Sequence, residues 1–370
     1  MRRKINNFKK LAIILSVIVI LLGWQLSRWS CALHQQQVSS SLQTILDTTQ
    51  QALASWSKAQ RKIAQTWAQH PEIIDLGQKL RSLPAISQSL VDQPAQQQLN
   101  NILRTVIKEN EYKGFLLLNT GLSVMASSHV QNIGQKNLLG DQHEVIRKLL
   151  NGQAAVSLPM HSPFIINDKH TNKVHNSHPS MFVAAPVMRE QKVIAILAFR
   201  IDPHDDFTAI LQRGRLSDSG ETYAFDNKGM LISNSRFDQQ LQRLGLLSPG
   251  QSSILNITLR SPYDKANSLD TLVNHPSLIP LTLMANSAIH GNHSTNVEGY
   301  LDYRGELVVG AWLWDKNMNM GITTEIDYDN AYKLLHHTYI IITIAGLSTI
   351  LLIFLASLYV NSMRMTRNKN

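Results

Sequence analysis

The chain has very little cysteine: Cys31 is the only one among 370 residues, so an internal disulfide is excluded. Glycine and proline are absent between Gly23 and Pro71. Because these two residues interrupt helices, their absence permits a helix of roughly 30–35 residues that continues from the preceding apolar segment. Apolar residues recur every three or four positions between Val38 and Trp67, which is the pattern of an amphipathic helix. Such a helix is typical of a stalk or a dimer seam, and the alternative is a helix packed on its own domain.

Common catalytic motifs are also missing. The sequence contains no Gly-x-Ser-x-Gly elbow, no phosphate-binding loop and no His-Glu-x-x-His pair. Cys31 adjoins an apolar run, which argues against a catalytic thiol. Three carboxylates, Asp202, Asp205 and Asp206, are available for acid–base chemistry, but we interpret them as the cap of a helix. We therefore predict that the chain is not an enzyme and has no cofactor.

Histidine is concentrated in one polar stretch, residues 161–179. It holds His161, His170, His175 and His178, and imidazole is a common zinc ligand. The spacing matches no compact metal motif, and histidines in loops are usually solvated. We predict no metal site.

Acidic residues are missing from both ends of the chain. Eight of the 35 basic residues lie within residues 1–10 and 361–370, and the other 27 face all 26 acidic residues. The net charge of +9 is thus confined to the termini, where the positive-inside rule places cations that remain in the cytoplasm. This distribution argues against nucleic-acid binding by the large middle region.

Two uncharged apolar runs stand beside these basic ends. Residues 339–360 contain 22 residues without a charge, about 33 Å as a helix, which is enough to cross a bilayer. Residues 11–27 form a shorter run, and a cleaved signal peptide is the alternative to a membrane anchor there. Trp24, Arg28 and Trp29 favour the anchor, because aromatic residues mark membrane interfaces and Arg28 separates the run from any cleavage site. We predict two spans in a bacterial inner membrane, with residues 28–338 in the periplasm.

After Gly114 the pattern changes from helical to strand-like. Short apolar runs at 115–119 and 122–128 flank a turn, and longer runs at 181–188 and 192–202 flank a polar turn. These features predict a first module of local antiparallel strands with a few helices.

A second segment with the same pattern follows Gly214. Runs at 221–226 and 230–234 flank Asn227-Lys228-Gly229, a hairpin turn with glycine where a positive φ is needed. Further strands are predicted at 299–303, 306–314 and 319–326, and Asp327 or Asp329 is expected to cap a helix that runs into the second apolar run. The predicted fold class is therefore α+β, with two antiparallel-sheet modules on a long N-terminal helix between two transmembrane helices.

Three parts of the sequence point to one known family: Ser219-Gly220-Glu221-Thr222-Tyr223 with Asp226, Gly229 and Ser233, then GAWLWDKNMNMGITTEIDYDNAY at 310–332, and the paired runs 182–187 and 193–202. Together they resemble the double Cache (dCACHE) sensor domain family, and the resemblance implies that both modules are PAS-like. The expected organisation is a cytoplasmic tail (1–10), a first span (11–27), a helical stalk (28–113), a membrane-distal module (114–213), a membrane-proximal module (214–338), a second span (339–360) and a cytoplasmic tail (361–370).

The resemblance implies an extracytoplasmic small-molecule sensor, usually dimeric, with its ligand in the distal module. His161, Phe164, Phe182 and Arg200 are the candidate wall residues, with Arg200 suited to a carboxylate. Core packing is the alternative for Phe182, and a surface or interface ion pair is the alternative for Arg200. The run Tyr-x-x-Arg-x-Trp that marks the amino-acid-binding subgroup is missing.

No kinase, cyclase, HAMP or methyl-accepting segment follows residue 360. The expected function is therefore a periplasmic sensor that acts as a homodimer and passes its signal through the spans to a separate membrane or cytoplasmic partner. Two alternatives remain: a membrane-held scaffold for a protein partner, and the sensor part of a receptor whose output domain is encoded separately.

Overall fold

A single helix, α1 (Arg2–Ala68), organises the computed structural model, which describes residues 2–83, 87–136, 138–161, 178–261 and 279–367. Its 67 residues join the first apolar run to the predicted stalk without interruption. Beyond the apolar run its buried positions, including Leu42, Leu46 and Leu53, face the rest of the protein. The helix ends before Pro71, which begins the next helix at a position where proline is favoured.

The first sheet is antiparallel and lies farther along α1 from the first apolar run. The helices α2 (Pro71–Arg81), α3 (Ser87–Val91) and α4 (Pro94–Glu109) lead into it. Its strands are β1 (Phe115–Leu118), β2 (Val124–Ser127), β3 (Ala155–Val156), β4 (Met160–His161), β5 (Pro179–Arg189) and β6 (Lys192–Ile201), with α5 (His143–Leu150) between β2 and β3. The order is β2-β1-β6-β5-β3, and β4 also pairs with β5. We call this unit the distal module.

The second sheet is also antiparallel, with the order β7-β10-β9-β8. Its elements are α6 (Phe207–Arg213), β7 (Glu221–Phe225), α7 (Asp238–Arg243), α8 (Leu283–Ile289), β8 (Ser294–Leu301), β9 (Leu307–Asp315) and β10 (Met320–Asp327). The strand β10 leads directly into α9 (Tyr328–Arg367), a 40-residue helix that includes the second apolar run. We call this unit the proximal module.

Each sheet buries one face against α1 and the other against its own helices and loops. In the distal module Val183, Leu197 and Phe199 belong to the core that contains α1, whereas their neighbours Phe182 and Ala198 belong to a separate core on the opposite face. Successive residues of a strand point to opposite faces, so the same two strands line both cores. The proximal sheet repeats this arrangement with its own second core.

The two apolar runs lie side by side. Both α1 and α9 contain segments long and apolar enough to cross a membrane. His34 Nε2 lies 2.8 Å from the Ala331 carbonyl oxygen, and the His34 ring is 5.6 Å from that of Tyr332. The ends of the two helices outside the apolar runs are therefore in direct contact.

The predicted fold class is confirmed: the chain is α+β, with two antiparallel sheets on a long N-terminal helix and an apolar helical run at each side. The exit helix also follows the last strand as predicted. Three local predictions were wrong or displaced.

Residues 230–234 do not form a regular strand. Leu231 bridges Phe225 as a hairpin would, but Met230 bridges Thr258, and the Leu231 amide donates to the Ile257 carbonyl oxygen. The segment therefore divides its hydrogen bonds between β7 and a part of the chain that is distant in sequence. Local patterning cannot reveal such a partner.

The strand predicted at 299–303 is instead Ser294–Leu301. Its pairing with β9 shifts between Asn296 and Tyr300, where the Asn296 side chain accepts hydrogen bonds from the amides of Glu298 and Gly299. This bulge interrupts the alternation that the sequence prediction depended on.

The predicted carboxylate cap of α6 was wrong. Asp206 occupies the capping position but its side chain makes no capping hydrogen bond. Asp202 accepts hydrogen bonds from the His204 amide and ring, and Asp205 pairs with Lys113 at 2.8 Å. Asp202 thus bonds within a local turn, whereas Asp205 is paired with a residue that is distant in sequence.

The turn at Gly229 confirms the predicted need for glycine and provides a test. Gly229 has φ +75°, and a Cβ there would lie 2.5 Å from Leu281 Cδ2. We expect Gly229→Ala to lower the free energy of unfolding by about 2–4 kcal/mol, the sum of left-handed strain and crowding. Gly245 has φ +73° with nothing within 4 Å, so Gly245→Ala is expected to cost only the strain, about 1–2 kcal/mol. Urea unfolding of the full chain in detergent measures both; equal losses would contradict the crowding argument.

Candidate functional site

The candidate site lies on the face of the distal sheet that points away from α1. Phe182 on β5 and Arg200 on β6 are direct cross-strand partners, so their side chains share that face. Leu116 and Ala198 are paired in the same way beside them. The helix α5 covers the same face through Leu149.

A small cavity opens at this point of the sheet. Phe182 and Arg200 both line it, together with Lys113, Gly114, Phe115, Leu116, Ser127, His129 and Asn132. The room inside is about 10 Å³, which is close to the minimum for one water molecule. In the described part of the chain the site is thus formed but nearly filled.

Arg200 is the buried cationic group of this cavity, whereas Lys113 is partly exposed and paired with Asp205. It is 9% exposed, and its Nε donates a hydrogen bond to Ser180 Oγ at 3.0 Å. Burial lowers the pKa of Arg200 to about 10, and the nearby Asp202 opposes that shift. The guanidinium therefore stays charged at neutral pH in a poorly solvated position, where it can bind an anionic oxygen strongly.

Asn132 contributes an acceptor to the same cavity. Asn132 is 3% exposed, and within the described residues its Oδ1 accepts no hydrogen bond. A buried acceptor without a donor costs roughly 1–3 kcal/mol, so a ligand or water that donates to Asn132 Oδ1 would be stabilised there. Arg200 and Asn132 together suit a small molecule that carries both an anionic group and a hydrogen-bond donor.

The four predicted wall residues are placed differently from one another. Phe182 and Arg200 come together in the cavity. Phe182 is also a core residue at 1% exposure, and Arg200 is 9% exposed. The core-packing alternative for Phe182 and the surface or interface ion pair for Arg200 stay open. His161 is exposed, and its Nε2 lies 3.2 Å from the Leu255 carbonyl oxygen of the proximal module. Phe164 lies outside the described residues, and the roles of His161 and Phe164 stay predictions.

The sequence prediction missed His129 and Asn132. Both follow β2 in the short polar segment that begins with Ser127 and Ser128. The sequence feature that could have indicated them is a run of polar residues directly after a buried strand. Side chains at strand ends often line the edge of a covered sheet face.

A second buried polar cluster lies in the proximal module. Glu325 on β10 and Glu221 on β7 are direct cross-strand partners, and both are at least 95% buried. Glu325 accepts hydrogen bonds from the hydroxyls of Tyr300 and Tyr223 at 2.6 and 2.7 Å. Glu221 accepts from Ser235 Oγ at 2.6 Å, from the Arg236 amide at 2.7 Å and from the Tyr303 hydroxyl at 2.9 Å.

Desolvation dominates the electrostatics of this cluster. It raises the pKa of Glu325 to about 8, with smaller contributions from Asp302 and Glu221. It raises the pKa of Glu221 as well, although the hydrogen bonds to that carboxylate oppose the shift. The cluster is therefore a proton-binding centre inside the fold. Among the described ranges, no group of three His, Cys, Asp or Glu side chains is arranged to hold a metal ion.

No family model and no curated protein matches the sequence. Among solved structures, the chain is similar to the sensor domain of the V. cholerae histidine kinase DctB, with 13% identity over 79% of this chain and 98% of that one and a TM-score of 0.48. It is also similar to the ligand-binding domain of the Campylobacter jejuni chemoreceptor Tlp3 in complex with 4-methylisoleucine (15% identity, 81% and 94% covered, TM-score 0.43). A third similarity is to the ligand-binding domain of Mlp24 with asparagine (10% identity, 82% and 99% covered, TM-score 0.41).

Proposed function

We propose that the chain is a membrane-anchored sensor of the double Cache type, whose distal module binds a small anionic molecule between Arg200 and Asn132. The observation that carries the proposal is the pairing of a buried guanidinium with an unsatisfied buried amide oxygen in one cavity. Ordinary core packing has no need for either group, and leaving both buried costs stability.

The strands that line the cavity also contact α1, so ligand binding could be transmitted to the first apolar run. Phe182 and Arg200 line the cavity, whereas Val183 and Phe199, the next residues on the same strands, pack in the core shared with α1. A ligand that widens the cavity would shift these strands against α1, which continues into the first apolar run. The ligand would then favour one of two arrangements of the adjacent apolar helices.

The proposed location is a bacterial inner membrane with residues 28–338 in the periplasm. The basic residues beyond each apolar run support this orientation. A homodimer along α1 and a separate signalling partner stay predictions.

The second candidate function is a membrane-held scaffold for a protein partner. The small volume of the distal cavity favours it, because a filled interior needs no ligand. The scaffold would keep both modules on α1 as a rigid unit outside the membrane.

Ligand binding by the full chain in lipid nanodiscs separates the two functions. We expect at least one compound in a panel of amino acids and small carboxylic acids to raise the thermal midpoint. Arg200→Gln is then expected to weaken that compound by roughly 10- to 100-fold, the loss of a charged hydrogen bond. Arg189→Gln is the matched control, since Arg189 lies on β5 with a half-exposed side chain 3.8 Å from Asp75. A panel without any stabilising compound would favour the scaffold.

A further inference from the structure

A cleft lies between the two modules, separate from the distal cavity. Its walls come from α1 (Ala54 to Arg61), from α5 and β3 of the distal module, and from the β9–β10 turn of the proximal module. The volume is about 440 Å³, within the range of sites for small molecules.

The cleft has an excess of positive charge. Lys58 and Arg61 enter it from α1, Lys148 from α5 and Lys316 from the β9–β10 turn, whereas the acids among its described lining residues are Glu144 and Asp315. Four cations thus face two carboxylates across three different elements.

Both carboxylates already have partners. Glu144 binds Arg147 with two guanidinium nitrogens, at 2.7 and 3.1 Å, and lies 3.9 Å from Lys148. Asp315 accepts hydrogen bonds from Gln50 Nε2 at 3.0 Å and from the Asn317 and Met318 amides at 2.8 and 2.9 Å. Within the described residues, Lys58, Arg61 and Lys316 have no carboxylate within 4.0 Å.

We propose that this cleft binds a small anion that carries two or more carboxylate or phosphate groups. Cations on different walls can neutralise separate charges of one molecule, and the Arg61 guanidinium presents donors suited to carboxylate or phosphate oxygens. Gln142, Asn317 and Asn319 add neutral amides around the same space. A singly charged anion would leave half of the excess charge uncompensated.

Such an anion would bridge α1 and both modules at once. It would stabilise one relative position of the modules, because moving either module away would separate charges that the ligand holds together. The cleft is therefore a second input to the sensor, distinct from the distal cavity and independent of whether that cavity binds a ligand.

Isothermal titration of the full chain in nanodiscs of zwitterionic lipid, at 150 mM salt, tests the proposal with citrate, pyrophosphate and acetate. We expect citrate or pyrophosphate to bind and acetate not to bind; which of the two binds more tightly distinguishes a carboxylate site from a phosphate site. The double variant Lys58→Gln/Arg61→Gln is expected to weaken the binding by about tenfold or more. Lys316→Gln should weaken it less, because it removes one cation.

The matched control is Lys62→Gln/Lys79→Gln, which removes the same charge from exposed positions of α1 and α2 outside the cleft. Equal weakening in the control would mean diffuse attraction to the whole surface and would overturn the proposal. Absence of citrate and pyrophosphate binding by the unmodified chain would also overturn it. Binding lost in Arg200→Gln but kept in the Lys58/Arg61 variant would place the anion in the distal cavity, which contradicts this inference and supports the proposed function.

Discussion

The folded chain is expected to lose stability as the pH rises from 4.5 to about 8, and replacing Glu325 by glutamine is expected to reduce that loss. The carboxyl group is 3% exposed, and burial raises its pKa from the ordinary 4.5 to about 8. Between these two values the folded chain holds a proton that the unfolded chain releases. Folding is therefore favoured most below pH 4.5 and loses this contribution as pH rises through about 8.

The expected size follows from one proton. Each pH unit in this interval should lower the free energy of unfolding by about 1.4 kcal/mol, or several kcal/mol in all. Glutamine keeps the shape of the side chain and cannot ionise, so Glu325→Gln should decrease the slope by that amount. Glu221, whose pKa is raised in the same direction, would maintain part of the remaining slope.

Urea unfolding of the full chain at several pH values between 4.5 and 8.5 measures the slope. Glu298→Gln is the matched control, because Glu298 is an exposed carboxylate on β8 of the same sheet. The control should keep the slope of the unmodified chain. A slope that is the same in Glu325→Gln and in the unmodified chain would show that this carboxylate is ionised throughout the interval.

Replacing Leu53 by alanine is expected to destabilise both modules together. Leu53 is fully buried on α1 in the core to which the α1-facing sides of both sheets belong. Removing its side chain leaves a cavity that α1, held on several sides, cannot close by moving. The expected loss is about 2–5 kcal/mol in the free energy of unfolding.

The measurement is again urea unfolding, followed by two probes: fluorescence and protection from proteolysis at sites in each module. One shared transition at lower urea is expected, since α1 is common to both. Gln51→Ala changes an exposed residue two positions away and should shift the midpoint by no more than about 0.5 kcal/mol. Two separate transitions in Leu53→Ala would contradict the shared core.

The helical framework and the strand types were predictable because their signals are local. The gap without glycine or proline and the 3–4 spacing from Val38 onward predicted α1, and the apolar runs predicted β5 and β6. Two of the wrong predictions involved distant partners: residues 255–259 for Met230 and Leu231, and Lys113 for Asp205. The third, the displaced strand β8, came from a bulge at Asn296 that breaks the alternation. A local pattern records what a segment prefers and not which segment it meets.

Some residues of the candidate site were likewise predictable from the sequence, and others were not. Phe182 and Arg200 were nominated from the sequence because each lies on a predicted strand that the family resemblance placed near the ligand. Their direct pairing depends on the register of β5 and β6. Asn132 and His129 follow β2, and the strand order β2-β1-β6-β5 brings the end of β2 near Arg200 and Phe182. Residue spacing cannot specify this order.

The sequence by itself determined that this chain has no internal disulfide, two apolar runs with basic ends, one long helix and two groups of antiparallel strands. These properties depend on composition and on periodicity within short segments. The tertiary structure decided that Arg200 and Asn132 share a cavity, that Glu221 and Glu325 are neighbours, and that four cations meet at a cleft between the modules. Each of these juxtapositions joins residues far apart in sequence, because strand register and the packing of both sheets on α1 are set by contacts across the whole fold.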